Sequence, residues 1–99
     1  MRTNAGAYRN ISSVMLPPGK WLIQYCVQID ATSSDCRRIS CINKIKDSFS
    51  DITTKNITQQ NGIVIVDNTE TTSYVLQIYT SITSNIQAGY GQIKAIRVI

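Results

Sequence analysis

The chain has 99 residues and a mass of 11.0 kDa, enough for one domain with one core and too little for two. Val, Ile and Thr supply 32 residues while Ala, Leu and Glu together supply 9, a bias that excludes a helical bundle and favours strands. Ten Lys and Arg against six Asp and Glu give a net charge of +4, and no apolar run approaches the roughly 20 residues of a membrane helix, so a folded domain without membrane insertion is expected.

Residues 1–7 read as a polar N-terminal arm and 8–99 as a single domain. No apolar stretch follows the charged start MRTNAGAYRN, so no secretory leader is expected, and assembly in a cytoplasm is the default expectation. Residues 8–16 (YRNISSVML) predict a strand that ends at Pro17-Pro18-Gly19, where two fixed proline φ angles and a glycine at positive φ force a turn. In 20–29, alternation puts Trp21, Ile23, Tyr25, Val27 and Ile29 on one buried face and Leu22, Gln24, Cys26 and Gln28 on the other. A small thiol in the middle of such a run is expected to be buried, and Cys41, which alternates with Ile39, likewise.

Residues 31–35 (ATSSD) form a polar loop. The next strand, 37–46, sets Ile39, Cys41, Asn43 and Ile45 as the more apolar face against Arg38, Ser40, Ile42 and Lys44. Residues 47–61 carry Phe49, Ile52 and Ile57 sparsely, as in a short edge strand within a long connection that Gly62 ends. Residues 63–67 (IVIVD) are continuously apolar, the pattern of a strand buried on both faces. A turn at 68–72 leads to a strand over 74–83, then to a glycine-bearing loop over 84–91. The last strand, 92–99, places Ile93, Ala95, Arg97 and Ile99 opposite Lys94, Ile96 and Val98.

Six to eight short strands at intervals of about 8–12 residues describe a β-sandwich or barrel. A domain of this size buries only about 60–65% of its unfolded surface, yet IVIV and the terminal IRVI are apolar on both faces. That surplus calls for a partner surface, and identical subunits are the commonest partner.

Chemistry-bearing residues are few. There is no His and one Glu, and Asp30, Asp35, Asp47, Asp51 and Asp67 read as turn residues at strand ends, which leaves no acid–base pair. Cys26, Cys36 and Cys41 match no zinc spacing and have no histidine to activate them. No catalytic residue, metal site or cofactor is expected. Arg37, Arg38, Lys44, Lys46 and Lys55 interleave with Asp35, Asp47 and Asp51 and lack alternating aromatics, so they read as a solvated face and not as a nucleic-acid surface. Tyr90, between Gly89 and Gly91, either contacts a glycan or protein or closes the end of the barrel.

LPPGKWLIQYCVQID, with Leu16, Pro17, Gly19 and Trp21, resembles the strand–turn–strand of the small trimeric jelly-roll heads, of complement-C1q and tumour-necrosis-factor shape, found in bacteriophage fibre and head proteins. NGIVIVDNTETTSYVLQIYT resembles their buried strand, Thr-rich turn and Tyr-x-Leu strand, here Tyr74 and Leu76, and GQIKAIRVI their final strand. The resemblance implies an all-β, antiparallel jelly-roll-like sandwich, a homotrimer and a non-enzymatic virion surface role, as capsid decoration or head fibre. The alternative is the receptor-binding tip of a tail fibre. Trp21, Ile23, Tyr25, Val27, Tyr74, Leu76, Ile96 and Val98 are then assigned to the core or the trimer interface. Asn85, Gln87 and Tyr90 are assigned to a loop that meets a ligand such as a host-surface glycan, and Arg2, Asn4 and Tyr8 to an arm that meets capsid or fibre proteins.

Overall fold

The computed structural model describes residues 2–3, 5–30, 34–82, 84–86 and 91–98. Its strands are β1 (Arg2–Thr3), β2 (Tyr8–Leu16), β3 (Gly19–Asp30), β4 (Cys36–Ile42), β5 (Ser50–Thr54), β6 (Thr58–Asn68), β7 (Thr72–Thr80), β8 (Ser84–Ile86) and β9 (Gln92–Arg97), with a 3₁₀ turn at Lys46–Ser48. All pairings are antiparallel and form two sheets. The front sheet runs β1-β8-β3-β6, with β9 joining β3 beyond β8; the back sheet runs β2-β7-β4-β5. The pairs β1–β8, β2–β7, β3–β6 and β4–β5 are nested, as if one long hairpin with its tip between β4 and β5 had been rolled up and its two ends brought together.

The alternation expected of 20–29 is present. Ile23, Tyr25, Val27 and Ile29 are buried and Trp21 is half-buried at the end of the face. Across the sandwich they meet Leu16, Ile42, Tyr74, Leu76 and Ile78, with Val64 from β6. The Pro17-Pro18 turn also holds: Gly19 adopts φ 140°, a region closed to other residues, and the Trp21 indole N–H donates to the Pro17 carbonyl at 3.0 Å.

Several expectations are corrected. The inward face of β4 is Arg38, Ser40 and Ile42, all at 0% exposure; Ile39 and Cys41, on the opposite face, are buried too. Arg38 therefore does not belong to a solvated basic face. The strand stops at Ile42 because Asn43 and Lys44 take positive φ (49° and 55°), and the Asn43 side chain caps the turn by accepting from the Val75 N–H at 2.8 Å and donating to the Ser73 carbonyl at 3.0 Å.

Gly62 does not end a loop but lies inside β6, opposite Tyr25. A Cβ there would come within 2.5 Å of the Tyr25 ring and 2.7 Å of the Ser48 carbonyl oxygen, so glycine is required by close approach and not by a turn. The IVIV segment is buried on one face only, with Ile63 and Ile65 outside. Asp51 sits within β5, not at a turn, and 84–91 contains β8.

Beside the apolar core lies a polar one that ties the sheets together. The Arg38 guanidinium donates to the carbonyls of Ile29 (3.2 Å), Asn56 (2.8 Å) and Thr54 (2.8 Å). The Gln60 amide donates to the Arg38 and Ser50 carbonyls at 3.2 Å each. The Tyr25 hydroxyl donates to the Ser48 carbonyl at 2.7 Å and lies 2.9 Å from the Ser40 hydroxyl, while Ser48 Oγ donates to the Ile45 carbonyl at 2.6 Å and accepts from the Ile42 N–H at 2.9 Å. Burial pushes the Tyr25 phenol above its ordinary value, against an opposing hydrogen bond from Ser40, and so keeps it a neutral donor. At the other end of the core, Tyr74 hydrogen-bonds Asn68, whose amide donates to the Leu16 carbonyl at 3.3 Å.

Candidate functional site

The outer face of the front sheet carries Ile63, Ile65, Ile96 and Val98, four of the eight large apolar side chains exposed among the described residues. Strand registers fix its rows: Asp67–Lys20, then Ile65–Leu22–Ile96, then Ile63–Gln24–Lys94, then Asn61–Cys26–Gln92. Val98 extends the first row, its N–H donating to the Lys20 carbonyl at 2.8 Å. Ile63, Ile65, Ile96 and Val98 are 53%, 56%, 59% and 45% exposed. Full burial of such a side chain stabilises by about 1.5–3 kcal/mol, so covering each half-exposed isoleucine would recover about 1 kcal/mol. Next to this stripe is a shallow cavity of about 540 Å³ whose walls include Gln24, Cys26, Asn61, Ile63, Gln92 and Lys94.

Cys26 corrects the expectation of a buried thiol: it is exposed on this face, whereas Cys36 and Cys41 are buried. The alternating pattern had placed it with Gln24 and Gln28, and the face, not the run of apolar neighbours, decides its exposure.

The outer face of the back sheet is different in kind. Tyr8 stacks obliquely on Tyr79, with ring centroids 5.4 Å apart, and Lys44 Nζ sits 4.6 Å from the Tyr8 ring centre. Burial raises the Tyr8 phenol and the Cys41 thiol above their ordinary values, the latter opposed by Lys44. Arg37 clamps Asp51 through Nη2 at 2.6 Å and Nε at 3.1 Å; that contact raises Arg37 and lowers Asp51. Such exposed pairs orient side chains more than they stabilise a fold.

Of the residues assigned to core or interface, Trp21, Ile23, Tyr25, Val27, Tyr74 and Leu76 lie between the sheets, and Ile96 and Val98 stand outside on the front sheet. In the assigned arm, β1 pairs with β8, Arg2 opposite Asn85, and Gly6 N–H donates to the Thr80 carbonyl at 2.8 Å. Asn85 thus lies in a strand between β1 and β3. Tyr8 is held on the back sheet. Asn4, Gln87 and Tyr90 fall outside the described residues.

Sequence reasoning missed the buried set Arg38, Ser40, Ser48, Gln60 and Thr80. The one signal available was Arg38, Ser40 and Ile42 sharing a period-2 face, set aside because that face is the more polar. Among the described residues no group of three His, Cys, Asp or Glu side chains could hold a metal ion. No protein-family model, curated protein or solved structure matches the chain.

Proposed function

We propose that the chain is a homotrimeric jelly-roll module of a bacteriophage virion surface, a non-enzymatic structural protein that decorates a capsid or heads a fibre. The observation that carries this reading is the nested pairing β1–β8, β2–β7, β3–β6 and β4–β5. Rolling an eight-stranded hairpin into two sheets produces that order, and viral capsid domains are among the proteins built that way. A fold hosts many roles; the virion role draws on the resemblance of the Leu16–Trp21 turn and the Tyr74–Leu76 strand to phage heads. Self-association draws support from the outward apolar row Ile65–Leu22–Ile96 with its neighbours Ile63 and Val98 on the front sheet.

Capsid attachment is tested by co-sedimentation with shells of the phage. The chain is expected to co-sediment, and removal of residues 1–7 should abolish this while leaving its oligomeric mass intact. Unchanged co-sedimentation would refute the role given to the arm. Adsorption to host cells that is lost in Tyr90→Ala would instead favour the receptor-binding tip.

A further inference from the structure

We infer that the outer face of the front sheet is where a second copy of this chain docks, with the stripe Leu22, Ile63, Ile65, Ile96 and Val98 at its centre. The inference rests on the self-association proposed above and adds the surface that performs it. Three observations select a copy of the chain as the occupant.

The first is charge. The chain as a whole carries +4, but the rows of this face from Asp67–Lys20 to Asn61–Cys26–Gln92 hold only Lys20, Lys94 and Asp67 as charged residues, a net +1. Another copy of the chain meets little like-charge repulsion here, whereas an acidic partner would be drawn to other surfaces. The second is hydrogen-bonding capacity. Gln24, Gln28, Gln59 and Asn61 flank the stripe, and each amide carries both donors and an acceptor, so such a rim can pair with the mixed polar surface of the same chain. The third is size. The molecule measures 44 × 21 × 19 Å, so a broad face projects roughly 900 Å², close to the ~800 Å² per partner of a stable interface. The 540 Å³ cavity beside the stripe gives side chains of the second copy a recess to fill.

The protein carries its own reporter. Cys26 lies on this face and is exposed in the single chain, while Cys36 and Cys41 are buried. The test combines light scattering with the rate of Cys26 alkylation by a maleimide, on the wild type, Ile65→Glu, Ile96→Lys and the control Met15→Lys, whose site is exposed on β2 of the other sheet. The wild type and Met15→Lys should be oligomers in which Cys26 reacts about tenfold or more slowly, through the dissociated fraction alone. Ile65→Glu and Ile96→Lys should keep the β-sheet circular dichroism, fall to the mass of a single chain and react rapidly. An oligomer whose Cys26 reacts rapidly, or one that Ile65→Glu and Ile96→Lys leave intact, would overturn this face while sparing self-association. A wild type that is monomeric at every concentration would overturn both.

Discussion

Gly62→Ala tests how tightly the two sheets are joined. In an ordinary strand this change stabilises a protein by about 0.4–1 kcal/mol, through the unfolded chain. Here the added methyl would sit 2.5 Å from the Tyr25 ring and 2.7 Å from the Ser48 carbonyl oxygen, one of them backbone, so the neighbours cannot simply rotate away. Overpacking of this kind costs about 1–3 kcal/mol. Displacing Tyr25 also strains its hydrogen bonds to Ser48 and Ser40, worth about 1 kcal/mol each when buried. The expected net loss is about 3 kcal/mol, or roughly 12 °C in Tm for a domain of this length. Urea unfolding followed by Trp21 fluorescence at fixed protein concentration should show a lower midpoint with an unchanged slope. Gly6→Ala is the comparison: its Cβ meets nothing within 4 Å, so only backbone strain at φ 75° remains, about 1 kcal/mol. A Gly62→Ala protein as stable as the wild type would refute the account of this junction.

Arg38→Met removes the donor shared by the Ile29, Asn56 and Thr54 carbonyls and should destabilise by about 3 kcal/mol or more in urea unfolding; Arg38→Lys should not restore the loss, because an ammonium cannot reproduce the guanidinium fork. For Asp51, the Arg37 contact depresses the folded carboxyl below its ordinary value of 3.8. The folded state thus favours the ionised form, and the stability this adds is fully present above pH 3.8 and is lost as pH falls through the depressed value. The wild type should lose slightly more stability than Asp51→Asn in acid unfolding below that pH, and identical acid profiles would count against the pair.

The strands of the core were legible where one face is uniformly apolar. Tyr8–Leu16 and Gly19–Asp30 match the expected runs closely, and proline and glycine mark the turn between them. Legibility failed where burial and polarity part company. Arg38 and Gln60 are buried because their donors meet carbonyls contributed by distant strands, and Ser40 because its hydroxyl lies 2.9 Å from that of Tyr25; nothing local records those partners. Gly62 misled for a related reason: its glycine answers to Tyr25, 37 positions away in the chain but directly opposite in register. IVIV reads as doubly buried because its two faces are equally apolar, although among the described residues β6 pairs only with β3 and turns Ile63 and Ile65 outward. Those same outward residues make up the candidate surface, so its composition was visible in the chain, while the row that joins them to Leu22 and Ile96 depends on register.

The most direct test of the central claim is the solution mass of the purified chain by light scattering across a range of concentrations. A homotrimer gives a stable species of about 33 kDa, three copies of 11.0 kDa. A mass of 11.0 kDa at every concentration would contradict it and leave the exposed isoleucines of the front sheet to a different partner.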